Sequence, residues 1–148
     1  MPHVICLGLT DKKDAETRAE IERLRDIHAV DELERRLNGR IQFGTAGLRG
    51  RMAAGFACMN SLTVIQASQG LAKFLTNKHP ERAKAGVIIG HDSRRNSAKF
   101  AALAANAFIA EKIPVWHFDQ PSITPLVPFA VAQFGTVSGV MVTASHVR

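Results

Sequence analysis

The chain has 148 residues, about the length of one domain, with 46% hydrophobic and 22% charged residues, and 11 glycines against 6 prolines. This balance argues against disorder along most of the length, and its two cysteines, Cys6 and Cys58, lack the C-x-x-C pairing of a zinc or redox motif and are too few for a disulfide scaffold. A formal charge of +6 points to an anionic partner, either a phosphorylated small molecule or nucleic acid.

The opening MPHVICLGLT is apolar in part but has neither a basic start nor a small-residue cleavage site, so it does not read as a secretory leader. No stretch reaches the ~18 apolar residues of a membrane span, no membrane partner is expected, and the cysteine usage fits a reducing, cytoplasmic setting. From residue 14 to 37, Ile21, Leu24, Ile27, Val30, Leu33 and Leu37 recur at three- and four-residue steps. That periodicity predicts one helix or two, stopping near Asn38-Gly39. Residues 1–40 are therefore read as an N-terminal helical arm laid on a main body of residues 41–148. The acidic and basic residues alternating along the arm mark a solvated face, which discounts the net charge as a sign of nucleic acid. Eight Phe and one Trp, mostly at core-like positions and with no Tyr, offer no base-stacking platform, so no nucleic-acid partner is expected.

Residues 41–56, IQFGTAGLRGRMAAGF, space Gly44, Gly47, Gly50 and Gly55 around Arg49 and Arg51. The spelling matches neither G-x-G-x-x-G nor the P-loop. Two readings stay open: glycines bringing backbone amides close to a phosphate that arginine grips in bidentate fashion, or a surface loop with solvated arginines. Asn60 is expected to cap a helix over 61–76 with Leu62, Ile65, Leu71 or Ala72, and Leu75 on one side, followed by a loop at 77–85. Residues 86–90 read as a buried strand, 91–97 (HDSRRNS) as a polar turn, and 98–111 as a helix capped by Ser97. The pattern repeats with a strand at 113–118, a helix at 122–134 made less regular by Pro128, and a last strand at 136–142. Strands alternating with helices predict a mainly parallel sheet covered on both faces, with ligands beyond the carboxyl ends of the strands. On that rule HDSRRNS and the T-A-S-H of residues 143–146 share one edge.

Ser145 and His146 are neighbours on an extended backbone and point to opposite faces, so a hydrolase-type Ser–His contact is not implied. Ser145 fits better as a phosphoryl carrier at a strand end, with Arg49 and Arg94 converging to neutralise charge, set against an inert terminal serine. His146 either assists proton transfer, donates to phosphate, or is simply exposed. Asp92 reads as a side-chain cap for the turn that follows it, or as an acid facing the ligand. His3, His28, His79, His91 and His117 lack metal-ligand spacing, and no D-x-D-x-D cluster exists to cage Mg2+ with this chain's own carboxylates.

Four ordered stretches, FGTAGLRGRMAAGFACMNSLTVIQASQGLAKFL, VIIGHDSRRNSAKFAALAANAFI, IPVWHFDQPSITPLVPFAV and GVMVTASH, resemble the α-D-phosphohexomutase superfamily, most closely its phosphoglucomutase/phosphopentomutase branch. The resemblance covers roughly residues 14–146 and leaves out the first ten. It implies a three-layer α/β/α domain with a mainly parallel, mixed sheet, acting on sugar phosphate and sugar bisphosphate in the cytoplasm. In that family the serine of T-A-S-H-N-P is phosphorylated, passes its phosphoryl group to a sugar phosphate, and ligates the catalytic Mg2+ through its phosphate; Ser145 matches it. Arg49 matches the arginine of G-T-[AS]-G-L-R that binds the bisphosphate, and His146 the histidine after the serine. Here Val147-Arg148 stand where the family has Asn-Pro, and the aspartate-rich metal loop and sugar-discriminating loop of its later domains are not in the sequence. The expectation is a first domain incomplete at its C-terminus and inactive alone as a mutase. The alternative is a non-catalytic fragment acting as a phosphate-binding or interaction module.

Overall fold

The computed structural model describes residues 15–45 and 47–143, and these fall into two compact units divided between Thr63 and Val64. In the first unit α1 (Ala15–Asp26) and α2 (Val30–Leu37) are separate helices. His28 between them takes a left-handed backbone, φ 52°, which ends the first helix and rotates the second out of its register. The apolar row predicted across both is therefore not a continuous face: Leu24 is buried, while Ile27, Val30 and Leu37 are exposed.

What holds this unit is an arginine. Arg36 is 6% exposed, and its guanidinium donates from Nη1 to Glu20 Oε1 and from Nε to Glu32 Oε1, each at 2.6 Å. The second oxygen of Glu20 accepts the Ala54 amide at 3.0 Å, and the Arg36 carbonyl accepts the Ala57 amide at 3.0 Å. Arg51 adds a further donor to Glu32 Oε1 at 3.0 Å. A buried cation is tolerable only when paired and hydrogen-bonded, and here the pairs also pin the glycine-rich segment to the helices. Gly55 sits at the contact with φ +118°, where a Cβ would come within 2.5 Å of the Arg36 carbonyl oxygen, so no side chain fits.

The glycine-rich segment is more ordered than either reading of it suggested. β1 (Phe43–Gly44) and β2 (Gly47–Leu48) pair antiparallel, and Met52 bridges Met59. Asn60 caps α3 (Ser61–Lys78) as expected: its Oδ1 accepts the Thr63 amide at 3.1 Å while Thr63 Oγ1 accepts the Asn60 amide at 3.0 Å. Its side-chain nitrogen donates to the carbonyls of Ala53 and Gly55. Leu62, expected on the buried side of this helix, is exposed, whereas Ala72 and Leu75 are buried, as are Thr63 and Ser68.

The second unit is a three-stranded parallel sheet in the order β4-β3-β5, formed by β3 (Val87–His91), β4 (Val115–His117) and β5 (Ser138–Val142). β3 lies in the middle and all of its residues are buried, as its unbroken apolar run requires. Alternation sets the layers. Val87 and Ile89 meet Ala72 and Leu75 of α3 and Ala101, Ala104 and Phe108 of α5 (Ser97–Ala110) on one face. Ile88 meets Val127 and Ala130 of α6 (Leu126–Phe134) on the other. The expected three-layer α/β/α architecture is thus present. Gly90 and Gly139 lie under α6, where a Cβ would approach Val127 within 2.7 and 2.6 Å; side chains there would lift the helix off the sheet. Residues 77–85, expected as a loop, include the short helix α4 (Pro80–Ala83), opened by Pro80. Pro128 is the third residue of α6, still in the first turn where its missing N–H costs no helical bond.

Gly139→Ala is expected to destabilise the second unit by about 1–3 kcal/mol through crowding against Val127 and Val131, read from denaturant unfolding; wild-type stability would contradict this packing. A second expectation concerns acid. The Arg36 hydrogen bond holds Glu20 below the usual carboxylate range, with the Ala54 amide helping and burial opposing. A depressed folded-state value means stability that is present above the ordinary glutamate range and is lost as pH falls through it toward the folded value. Glu20→Gln should flatten the fall of stability between about pH 5 and 3, and an unchanged acid limb would remove Glu20 from the linkage.

Candidate active site at the carboxyl rim of the parallel sheet

All three strands of the parallel sheet end on one rim, and the ladder between β3 and β5 runs to that rim, pairing His91 with Val142. The Asp92 amide continues it, donating to the Val142 carbonyl at 3.0 Å. The next residue on each strand carries the cross-link: the Thr143 hydroxyl donates to Asp92 Oδ2 at 2.8 Å. The other oxygen, Oδ1, accepts the Arg94 amide at 3.0 Å and the Ser97 hydroxyl at 2.6 Å. One carboxylate therefore closes the β3–α5 turn and holds the end of β5.

Of the two readings open for Asp92, the structure realises the cap and adds the strand link. Ser97 is not the cap of α5: Asn96 takes that position with a left-handed φ of 69°, and Ser97 is the buried first residue of the helix, its hydroxyl turned to Asp92. The left-handed torsion at Asn96 starts the helix there, and the Ser97 hydroxyl donates to the carboxylate five residues earlier. The Thr143 partner was not anticipated. Its signal in the sequence was the equal number of residues by which Asp92 and Thr143 pass the ends of two neighbouring strands, visible only once the register is known.

Arg94 is exposed, and its Nε lies 3.7 Å from Asp92 Oδ2. Its guanidinium thus stands at the rim beside the carboxylate. Arg49 follows β2 in the other unit and is exposed. Ser145 and His146 lie outside the described residues, Ser145 two positions beyond Thr143. Further rim contacts come from the segment after β4, where the Phe118 amide donates to the Ile89 carbonyl at 2.9 Å and the Ser122 amide to the His91 carbonyl at 2.8 Å.

Two histidines face each other here, His91 and His117, with ring centroids 5.7 Å apart. His91 is buried, and its Nδ1 lies 2.9 Å from the Asp92 carbonyl oxygen, which only accepts, so the ring proton sits on Nδ1. Partial burial, and then the neighbouring His91, hold His117 below the ordinary imidazole value, while Asp119 pulls it upward. Among the described residues no three His, Cys, Asp or Glu side chains converge to hold a metal ion, and the Asp92 oxygens are occupied by donors. The described residues do not by themselves make the Mg2+ site implied by the resemblance. Nor is any described helix long and apolar enough to cross a membrane.

Comparison with known proteins agrees with this fold. Residues 40–147 match the family described as phosphoglucomutase/phosphomannomutase, alpha/beta/alpha domain I. The chain is 49% identical over 134 residues to a probable phosphoribomutase of Schizosaccharomyces pombe, 90% of this chain and 23% of that protein. It is 42% identical over 142 residues to glucose 1,6-bisphosphate synthase of Mus musculus, 92% of this chain and 23% of that protein. Against phosphopentomutase of Homo sapiens the identity is 38% over 140 residues, 90% of this chain and 23% of that protein. The chain thus spans about 23% of the length of these curated relatives. No solved structure matches it.

The histidine pair offers a direct check on the rim. Asp119→Asn removes the one influence that raises the His117 value, so the imidazole should titrate lower still, followed by NMR of its ring protons; an unchanged or higher value would place Asp119 away from the ring.

Proposed function

The chain belongs to the phosphoglucomutase/phosphomannomutase family, matching its alpha/beta/alpha domain I over residues 40–147, and from that membership we propose that it is the serine-bearing domain of a sugar phosphomutase. In this reading the phosphate on Ser145 passes its phosphoryl group to a hydroxyl of a sugar phosphate, giving a bisphosphate. The bisphosphate turns over and returns its other phosphoryl group to Ser145, so that a sugar 1-phosphate becomes a sugar 5- or 6-phosphate. Arg49 and Arg94 neutralise the phosphates, and His146 donates to phosphate or moves the hydroxyl proton. A Mg2+ ion bound to the Ser145 phosphate would take its further carboxylate ligands from outside the described residues. A cytoplasmic setting accompanies the reading.

The observation that carries it is the full-length pairing of β5 with β3, which brings Thr143, two positions before Ser145, to the rim beside Asp92 and Arg94. Such rims are where parallel α/β sheets bind ligands. The relatives' names divide between pentose and hexose chemistry, so both sugar phosphates belong in the test. A second reading, a phosphate-binding module without turnover, draws on the lack of a metal-holding group among the described residues.

The purified 148-residue chain is expected to show no turnover of ribose 1-phosphate or glucose 1-phosphate. Fused to the part of the fission-yeast phosphoribomutase that follows its matched region, the chain should become active. Ser145→Ala should then lower turnover by at least about 10³-fold. An active S145A fusion would refute the serine's role, and an inactive fusion that still binds sugar bisphosphate would favour the second reading.

A further inference from the structure

We propose that the face of the parallel sheet carrying α6 is a permanent interface, and that its occupant is apolar polypeptide from the part of a longer chain that lies beyond this domain. The inference rests on the family membership and not on the role given to Ser145. The two faces of the sheet are unequal. Helices α3 and α5 pack on one of them, whereas among the described residues only α6, 9 residues long, lies on the other. A helix about 10 Å across spans roughly two strands set ~4.8 Å apart, so a single helix leaves part of this three-stranded sheet open.

On the β4 side the open surface is aromatic. Trp116 shares the α6 face with Ile88, its partner in the register, and stacks on Phe134 with ring centroids 5.8 Å apart, yet Trp116 is 55% and Phe134 61% exposed. Phe129 on α6 and Ile123 just before it are exposed as well. On the β5 side a groove of about 350 Å³ lies between α6 and the strand, with Val127, Pro128 and Val131 against Gly139 and Met141, and Thr124 as its polar side chain. Residues 113–142, which hold this whole surface, contain one Asp, Glu, Lys or Arg, Asp119, in a chain that is 22% charged. Monomeric proteins rarely leave such an area in water, and interfaces that do not open are the ones depleted of charge and rich in aromatics. A membrane surface would call for lysine or arginine around the apolar face, and a transient partner steered by charge would need charged groups too. The chain spans about 23% of the length of its curated relatives, so those proteins have ample further polypeptide to supply the cover. An apolar helix laid beside α6 matches the groove left along β5.

The test is hydroxyl-radical footprinting, read by mass spectrometry, of the 148-residue chain and of its fusion to the part of the fission-yeast phosphoribomutase that follows the matched region. Trp116, Phe129 and Phe134 should react freely in the chain alone at every concentration, with the fully buried Phe108 as the protected reference. In the fusion their rates should fall by about fivefold or more, toward that of Phe108. Protection in the chain alone that is lost on dilution would make the occupant a second copy, and protection that survives dilution would make it part of these 148 residues. Either result overturns the proposal, as does free reaction in the fusion. The double substitution Phe129→Lys and Phe134→Lys gives a second readout, with the melting temperature unchanged in the chain alone and lowered by about 2 °C or more in the fusion. An equal response in the two proteins would also overturn it. Footprinting does not depend on turnover, so a failure of the serine's role would leave this result standing.

Discussion

The carboxylate of Asp92 is the constraint on which the rim of the sheet depends. Parallel strands bring their carboxyl ends to one side for reasons of topology alone, but the loops leaving those ends are independent unless something joins them. Asp92 joins two, because its amide extends the β3–β5 ladder and its oxygens accept donors from both the α5 turn and the end of β5. Hydrogen bonds to an ionised acceptor are roughly twice as strong as neutral ones. With only 19% of its side chain exposed, water is a limited substitute. Removing the acceptor would strand the Ser97 hydroxyl, which belongs to a buried residue, as well as loosening the strand end.

The first unit solves a similar problem with the opposite charge at its centre. Arg36 is buried between Glu20 and Glu32, and the same carboxylates reach the Ala54 amide and Arg51. The glycine-rich segment that carries Arg49 is therefore tied at its C-terminal part to α1 and α2, and the helical arm holds a candidate phosphate-binding loop in shape. Gly55 marks the tightest point, a positive-φ residue against the Arg36 carbonyl. In both units a polar core organises the segment that bears candidate chemistry, while apolar packing sets the fold behind it.

The parts legible in the sequence were those written in apolar periodicity. β3 was readable because a strand buried on both faces has an unbroken run, and the expected 86–90 sits one residue from the observed Val87–His91. The helix after it was readable from Phe100, Ala104 and Phe108, and the Asn60 cap from its position before an apolar stretch. Other features depend on information a periodic pattern does not hold. The break at His28 is a backbone torsion that takes α2 out of register with α1, and Val30 and Leu37 are exposed although their spacing was helical. Arg36 hid within a charge alternation that ordinarily marks a solvated face. The Asp92–Thr143 link needed the strand register, and two residues separated by 51 positions give no local sign of it. Of the candidate site, Arg94 stands at the expected rim, Arg49 lies in the other unit, and Ser145 and His146 fall outside the described residues.

In the proposed function a hydroxyl two positions beyond Thr143 holds the phosphoryl group in transit. This is tested most directly by treating the active fusion with glucose 1,6-bisphosphate, quenching in acid, and locating the phosphate by tandem mass spectrometry. A single phosphorylated residue is expected within the peptide that contains Ser145, at Ser145 itself. Phosphate on another residue of an active enzyme, or turnover with Ser145 unmodified, would contradict it.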